Sequence, residues 1–218
     1  MKQSCKLFFF GDSISFGQGV SPHATWVTRL SAELDGAFPD ADIVVQNPSI
    51  NGNTTRMALE RIGFDVQSHR PDVVFVEFGL NDCNIWQTDN GLPRTSRESF
   101  ATNLAEIVDR LRASGARVVA LGTNHPTTRT EGVMAGSEIN YEAHNAMYAD
   151  IVRTTARAKD AVLVDIRKHI QDTVPMAELG SLLLEDRLHL SRKGHDVYFA
   201  FYRDPVLSAV CSVLQAGH

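Results

Sequence analysis

The stretch that decides the fold is KLFFFGDS, residues 6–13. Four consecutive apolar residues, Leu7 to Phe10, are typical of a strand that is buried on both faces, because an amphipathic strand would alternate apolar and polar positions. Gly11 then ends the run, and two polar residues, Asp12 and Ser13, follow on a tight turn. This order predicts a hydroxyl group held rigidly at the edge of a sheet.

Further short apolar runs resemble the first one along the chain. They are bounded by turn residues and rich in Val, Ile and Phe. With the first run, the predicted strands are 6–10, 43–46, 72–78, 117–121 and 161–166. Between them, helical periodicity covers 26–38, 54–67, 96–114 and 139–159. Alternation of strands and helices with short connections predicts a three-layer α/β/α sandwich around an open parallel sheet.

Local signals set several helix ends. Ser96 is typical of a helix N-cap, and Gly115 stands where a helix end needs a residue of positive φ. Near the C-terminus, 194–202 is helical in period, and Asp204-Pro205 predicts the end of that helix and the start of another that runs to Leu214.

Composition and charge restrict the class of protein. The chain has 218 residues, 43% of them hydrophobic and 22% charged, which predicts one folded domain over residues 1–218. The formal net charge is −5 and the basic residues are scattered, which argues against a nucleic-acid or anionic-lipid partner. No internal repeat, low-complexity tract or metal-binding cysteine pattern is seen.

The cysteines and the first residues bear on the cellular compartment. Cys5, Cys83 and Cys211 are widely spaced and odd in number, so we expect small buried side chains and no disulfide framework. The first long apolar run has four residues, where a signal peptide needs roughly seven or more. We therefore predict a cytoplasmic protein without integral membrane association.

Two stretches lack periodicity, 82–95 and 124–138, and each follows the end of a predicted strand. Ligands of open α/β sheets bind at that edge, so these stretches are expected to form pocket walls, unless they are plain connections. Trp86 and His125 within them, and Asp12 beside the first turn, are candidate pocket residues. For His125, substrate contact and loop packing are both open.

Four segments at strand ends carry groups for acyl transfer. Ser13 is the candidate nucleophile, and His189 is the candidate general base, with Asp186 three residues earlier to orient it. The N–H groups of Ser13 and Gly52 and the side chain of Asn81 are candidate donors to an oxyanion. Each residue also has a structural reading: a helix cap for Ser13, a turn glycine for Gly52 and an Asx-turn for Asn81.

The other seven histidines are weaker candidates for the base. Four are predicted on the surface: His23, His69, His144 and His169. His195 is expected to pack at a helix start, and His218 is the last residue.

The four segments together resemble the SGNH hydrolase superfamily, also called the GDSL esterases and lipases. The resemblance spans Phe8 to His195 and rests on four ordered blocks: Gly11-Asp12-Ser13, Asn47-Pro48-Ser49-Ile50-Asn51-Gly52, Gly79-Leu80-Asn81-Asp82 and Asp186-x-x-His189. It implies a flavodoxin-like sheet of about five parallel strands and ester hydrolysis without metal or other cofactor. Departures such as Ile14, Asn53 and Leu190 flank the blocks and bear on the subfamily.

Several alternatives stay open. Flavodoxin-like sheets also bind nucleotides, but Pro22 occupies the third glycine position of the fingerprint that Gly17 and Gly19 begin. A family member kept as a binding module is a further alternative. For an esterase, the absence of a long apolar lid in the sequence after Asn81 favours a short acyl group, such as acetyl on a carbohydrate or other small metabolite. Longer acyl chains, as in lysophospholipases and thioesterases, are the second choice, and the sequence indicates no oligomeric state.

Overall fold

A parallel sheet of five strands lies at the centre of the computed structural model, which describes residues 2–216. The strands are β1 (Gln3–Gly11), β2 (Ala41–Gln46), β3 (Val73–Glu77), β4 (Val118–Gly122) and β5 (Val162–Val164). Their order across the sheet is β2-β1-β3-β4-β5, and every neighbouring pair is parallel. The five predicted strands are confirmed, with their ends moved by a few residues.

Helices cover both faces of this sheet. They are α1 (Ser13–Phe16), α2 (Trp26–Ala37), α3 (Thr55–Asp65), α4 (Arg97–Ala113), α5 (Tyr141–Ala158), α6 (Ile166–Thr173) and α7 (Arg192–Gln215). Packing of α7 against α2 and α6 forms one layer, and packing of α4 against α3 and α5 forms the other. The predicted α/β/α sandwich is therefore confirmed. Ser96 caps α4 through its side chain, and Gly115 has a φ of 106°, both as predicted.

The apolar run Leu7 to Phe10 is the centre of the core. Leu7, Phe9 and Phe10 are fully buried in β1. The Phe9 ring stacks on Phe75 of β3 at 5.6 Å and meets Trp26 of α2 edge-on at 5.2 Å. Burial of each such side chain stabilises the fold by roughly 1.5–3 kcal/mol. Strong packing at β1 fixes the strand from whose end Ser13 emerges.

Two of the five strands differ from the expectation of burial on both faces. In β2 every second residue is half-buried and the others are exposed, and in β5 both Val162 and Leu163 are exposed. These strands form the two edges of the sheet, where the helix layers cover the strands incompletely: the exposed residues of β2 lie on one face, whereas Val162 and Leu163 of β5 point to opposite faces. A continuous apolar run did not distinguish an edge strand from a central one.

The C-terminal region differs more strongly from its prediction. One helix, α7, runs through Pro205, where the sequence predicts a break between two helices. Proline removes the N–H that would bond the carbonyl of Phe201. Tyr202 and Val206 on either side of Pro205 are nonetheless buried against the sheet, and this packing outweighs the lost hydrogen bond.

By length and hydropathy, α7 is the one helix within residues 2–216 that could cross a bilayer. Its buried side chains include Tyr198, Tyr202 and Val210, which belong to the core cluster formed with the sheet. A core helix passes the same length and hydropathy test.

The helix α6 is absent from the sequence prediction. Asp165 caps it by accepting a hydrogen bond from the Lys168 amide, so the predicted strand that ends at Ile166 stops earlier. A 3-10 helix over Met176–Leu182 follows and leads the chain back to the sheet edge. Both elements are short, and short elements carry too few periods for recognition.

All three cysteines are free within residues 2–216, as expected. Cys5 and Cys83 are buried, whereas Cys211 is partly exposed. Burial, and then the nearby charge of Asp72, raise the pKa of the Cys5 thiol to about 12, so the thiolate does not form at neutral pH.

The order of the strands positions the site. The chain leaves β1 toward β2 on one side, whereas β3 lies on the other side, so the connections that follow β1 and β3 diverge. Gly11 at the end of β1 lies directly beside Glu77 at the end of β3. A crevice at such a switch point is where open α/β sheets bind their ligands.

Candidate active site

Ser13 begins the short helix α1 directly after β1. Asp12 is the N-cap of this helix, because its Oδ1 accepts a hydrogen bond from the Ile14 amide at 3.0 Å. Ser13 is largely buried, and its Oγ lies 2.9 Å from Nε2 of His189. The predicted nucleophile and the predicted base are thus in hydrogen-bond contact.

The imidazole of His189 is held from its other side by Asp186. The distance from His189 Nδ1 to Asp186 Oδ2 is 2.5 Å. Asp186 Oδ1 accepts hydrogen bonds from the backbone amides of Leu188 and His189, at 2.9 Å each. Burial alone would raise the pKa of Asp186, but these hydrogen bonds lower it below its usual value. The carboxylate therefore stays ionised and can stabilise an imidazolium.

A compact turn presents this pair. Leu183 and Leu190 form an isolated antiparallel bridge, and the Leu184 amide donates to the His189 carbonyl at 2.8 Å. Arg187 takes up the turn with a φ of 61°. Arg129, from the loop after β4, donates through Nε to the Asp186 carbonyl at 2.9 Å. Arg129 is a contact that the sequence analysis missed, since no local pattern connects it to the distant turn.

The three predicted oxyanion donors come from three loops. Gly52 has a φ of 77° and open space where a Cβ would stand, which suits a turn that leaves its N–H accessible. Within residues 2–216, no protein acceptor bonds the N–H of Ser13 or of Gly52. One N–H of the Asn81 side chain is used by Asp12 Oδ2 at 3.0 Å, and the second is left for a ligand.

Asp12 is a correction to the predicted pocket. Its side chain is almost fully buried and binds Ile14 and Asn81, so almost none of its surface is left to line a pocket. Burial raises the pKa of Asp12 to about 7, against the lowering effect of the hydrogen bond from the Ile14 amide. Its observed role is to hold the turn after β1 and the loop after β3 together.

Arg94 is a second contact that the sequence analysis missed. Its Nη1 donates to the Gly52 carbonyl at 3.0 Å and to Asn81 Oδ1 at 3.4 Å, and so links two of the candidate donor loops. The same guanidinium lies over the Trp86 ring at 4.3 Å. Trp86 is half-exposed, so the structure places this predicted pocket residue beside the site through Arg94. A lone arginine in an aperiodic loop carries no sequence signal of such a role.

For His125 the sequence leaves substrate contact and loop packing open, and the structure bears on this choice. It is buried, its Nε2 lies 2.8 Å from the Leu188 carbonyl, and its Nδ1 lies 2.8 Å from the Tyr198 hydroxyl. Burial lowers the pKa of His125 to about 4, despite the hydrogen bond to Leu188. Both ring nitrogens contact protein, so the structure favours the loop-packing reading.

Most of the remaining histidines lie where the sequence predicts them. His23 and His69 are exposed, His169 is half-buried, and His195 is buried at the start of α7. His144, predicted on the surface, is buried and its Nδ1 contacts the Cys83 carbonyl at 2.7 Å, because α5 turns this position toward the loop after β3. His218 lies outside the described residues.

The two aperiodic stretches meet each other above the sheet. A cleft of about 390 Å³ opens between them and the starts of α4 and α5, and Ile85, Gly91, Ser137 and Ile139 are among its lining residues. Ser13 and His189 do not line this cleft. The predicted wall role therefore applies to this cleft, whereas Arg94 of the first stretch contacts Gly52 and Asn81 and stacks on Trp86.

Comparison with known proteins identifies relatives of the chain. The family model of the GDSL-like lipase/acylhydrolase family matches residues 9–197. An arylesterase of Vibrio mimicus is 32% identical over 127 residues, which is 56% of this chain and 56% of that protein, so the match spans about half of its length. An acetylxylan esterase of Geobacillus stearothermophilus is 27% identical over 91% of this chain and 93% of its own.

A further relative bears on the cellular compartment. The lipoprotein YqeF of Bacillus subtilis, whose function is uncharacterised, is 27% identical over 89% of this chain and 86% of its own. The cytoplasmic localisation of the present chain stays a prediction.

Solved structures show the same fold. The crystal structure of Axe2, an acetylxylan esterase from Geobacillus stearothermophilus, superimposes with a TM-score of 0.72 at 23% identity, over 93% of this chain and 94% of its own. The family model and the named esterases place the chain in the class of hydrolases that act on ester bonds. The chain belongs to the GDSL-like lipase/acylhydrolase family, as the resemblance of its four blocks predicts.

Proposed function

We propose that the protein is a serine esterase in which Ser13, His189 and Asp186 form the catalytic triad. The observation that carries this proposal is the continuous contact from Ser13 Oγ to His189 Nε2 at 2.9 Å and from His189 Nδ1 to Asp186 Oδ2 at 2.5 Å. Nucleophile, base and orienting carboxylate in this sequence of contacts are the requirements for acyl transfer to a hydroxyl.

The proposed reaction has two halves. In the first, His189 Nε2 takes the proton of Ser13 while Oγ bonds to the acyl carbon, and the imidazolium then gives that proton to the departing alcohol. In the second, His189 takes a proton from water, the resulting hydroxide attacks the acyl-enzyme, and the proton returns to Ser13 Oγ as the acid leaves. The ionised Asp186 stabilises the imidazolium in both halves.

In each half of the reaction the carbonyl oxygen of the acyl group becomes negatively charged. This oxygen requires hydrogen-bond donors on the side of the acyl carbon away from His189. The N–H groups of Ser13 and Gly52 and the second N–H of the Asn81 amide are assigned to it. Arg94 keeps Asn81 Oδ1 turned away from this position, and Asp12 accepts the first N–H of the same amide. The amide thus presents a donor and not its oxygen.

For the substrate we propose an ester of a short acyl group, with acetyl on a carbohydrate or another small metabolite as the first choice. Two points support it: one relative matched over most of both chains at 27% identity is an acetylxylan esterase, and no long apolar lid follows Asn81 in the sequence. The activity is assigned to a single domain, because both helix layers pack on one sheet.

The test compares the wild type with Ser13→Ala on p-nitrophenyl esters from acetate to decanoate and on acetylated xylooligosaccharides. Ser68→Ala is the matched control, since Ser68 is exposed and precedes β3, at the opposite edge of the sheet from the site. We expect turnover of acetate by the wild type and Ser68→Ala and its loss in Ser13→Ala, with unchanged circular dichroism spectra.

Two outcomes would contradict parts of the proposal. Equal rates in the wild type and Ser13→Ala would remove Ser13 as the nucleophile. Much faster turnover of octanoate and decanoate than of acetate would replace the short-acyl substrate by a longer acyl chain, as in lysophospholipases or thioesterases.

A further inference from the structure

A line of buried polar side chains runs behind the proposed triad, from the end of β3 to the turn that carries His189. Glu77 accepts the Tyr202 hydroxyl at 2.5 Å through Oε2, and its Oε1 lies 3.0 Å from the Tyr198 oxygen. The Tyr198 oxygen lies 2.8 Å from Nδ1 of His125, whose Nε2 lies 2.8 Å from the Leu188 carbonyl. Leu188 lies between the two triad members Asp186 and His189.

The number of hydrogens along this line decides its protonation. Three contacts need one hydrogen each: Leu188 to His125, His125 to Tyr198, and Tyr198 to Glu77. A carbonyl oxygen only accepts, so the hydrogen of the first contact is on His125 Nε2. Tyr198 supplies one hydrogen for the other two contacts, and one more is needed. That hydrogen is on Glu77, or it is a second hydrogen on His125.

Burial favours the neutral arrangement. A protonated Glu77 donates to Tyr198, and Tyr198 donates to Nδ1 of an uncharged His125; the other arrangement would hold a carboxylate and an imidazolium out of water. Burial also raises the pKa of Glu77 to about 8. It lowers that of His125 to about 4, so both shifts have the direction that the neutral arrangement requires.

The charged and titratable neighbours agree with this assignment. The groups that face Glu77 are Tyr198 and Tyr202 of α7 and Asp12 at the end of β1. The charge of Asp12 disfavours ionisation of Glu77. The two tyrosine hydroxyls favour ionisation of Glu77, but less strongly than burial opposes it. The groups that act on His125 are Arg167, His189 and His195, each of which disfavours a positive imidazole.

We propose that Glu77, Tyr198 and His125 form a proton-holding relay that fixes the Leu188 carbonyl and thereby positions the Asp186–His189 turn. The three are positioning residues, since none of them touches the reacting atoms. When Glu77 loses its proton, two hydrogens are left for three contacts. In one of the contacts two acceptor atoms then face each other without a hydrogen between them. The Asp186–His189 turn is then no longer held in place through Leu188. The inference rests on the serine-esterase function proposed above for its kinetic consequences.

The kinetic test measures kcat and KM for p-nitrophenyl acetate across pH in the wild type, Tyr198→Phe, Glu77→Gln and Glu77→Leu. Tyr148→Phe is the matched control, because Tyr148 is equally buried but donates its hydroxyl to the Thr95 carbonyl, outside the relay. We expect Tyr198→Phe to lose roughly tenfold in kcat with little change in KM, as a misplaced base would cause, and Tyr148→Phe to lose much less.

The pH profile separates a relay from ordinary packing. We expect the kcat of the wild type to fall as pH rises past about 8, where Glu77 ionises. Glu77→Gln retains an N–H toward Tyr198 and an oxygen toward Tyr202 but does not titrate, so this fall should disappear. Glu77→Leu offers neither group and should lose activity at every pH. Coincident profiles of the wild type and Glu77→Gln would overturn the proposal, as would equal losses in Tyr198→Phe and Tyr148→Phe.

A readout independent of activity is the ring ¹⁵N spectrum of His125, assigned with His125→Gln. At neutral pH we expect the hydrogen on Nε2 and a hydrogen-bonded, unprotonated Nδ1. A hydrogen on Nδ1 would overturn the relay even in an active esterase. If the spectrum shows the expected tautomer but turnover does not depend on Ser13, the relay is supported and only the esterase function is rejected.

Discussion

Asn81 Nδ2 donates to Asp12 Oδ2 across 3.0 Å, and this contact joins the loop after β3 to the turn that presents Ser13. The same nitrogen is the only side-chain donor that we assign to the oxyanion. Replacement of Asn81 by alanine should therefore lower kcat by roughly a hundred- to a thousandfold, with a smaller effect on KM. Stopped-flow or steady-state kinetics on p-nitrophenyl acetate measure this loss, and a loss below about tenfold would contradict the assignment.

His189 is the base in the proposed mechanism, and its replacement by alanine should reduce kcat by several orders of magnitude while the fold is kept. His125→Ala should have a far smaller effect, because His125 acts through the turn and not on Ser13. Kinetics and thermal melts of both variants test this ranking. If His125→Ala abolished turnover and His189→Ala retained it, the two roles would be assigned to the wrong residues.

Arg94 bonds both the Gly52 carbonyl and Asn81 Oδ1, so its loss frees two donor loops at once. We expect Arg94→Ala to lower kcat by roughly tenfold to a hundredfold, and Arg94→Lys to recover part of the loss, since a lysine supplies charge without the planar fork. Arg112→Ala is the control, as Arg112 bonds the Lys159 and Asp160 carbonyls on the far side of α4. Equal rates in all three variants would show that Arg94 has no positioning role.

His195 makes stability fall on acidification. Burial, and then the charge of Arg29, lower the pKa of His195 to about 4 in the native protein. In the unfolded chain the imidazole has its usual pKa of 6.5, so between these two pH values the unfolded chain binds a proton that the native protein does not. Its contribution to stability is present above pH 6.5 and is lost as pH falls through 6.5 toward about 4. In thermal melts, His195→Asn should show a Tm that falls less steeply over this range, by a few degrees. A parallel decline in both proteins would refute this role.

Every proton transfer in the proposed mechanism is assigned to a side chain of the chain itself. Within residues 2–216 no three His, Cys, Asp or Glu residues cluster as a metal site. We therefore expect equal rates before and after dialysis against EDTA. A loss that one added metal ion restores would show that a step depends on a metal.

Much of the fold could be predicted from local patterns, because strands such as β1 and β3 are continuous apolar runs between turn residues. Local sequence patterns could not predict the places where long-range packing opposes a local signal. The helix α7 continues through Pro205 because the sheet packs against Tyr202 and Val206, and β2 and β5 are half-exposed because they are edges. Neither property is encoded within a short window of residues.

The candidate site divides in the same way. Ser13, Gly52, Asn81, Asp186 and His189 became candidates because each stands in a recognisable block at a strand end or turn. Arg94, Arg129 and Glu77 carry no block. Arg94 bonds Asn81 from 13 residues away in the chain, and Arg129 bonds Asp186 from 57 residues away. Glu77 is connected to the site through Tyr198 of α7, which lies 121 residues later in the chain.

The separation of Ser13 and His189 by 176 residues has a consequence during synthesis on the ribosome. Strand β1 and its neighbour β3 are both made long before the turn with His189 and the helix with Tyr198. In the proposed mechanism a nascent chain therefore holds its serine without a base, and no acyl chemistry can begin at Ser13 until the turn with His189 has left the exit tunnel. The order of synthesis therefore delays the proposed activity.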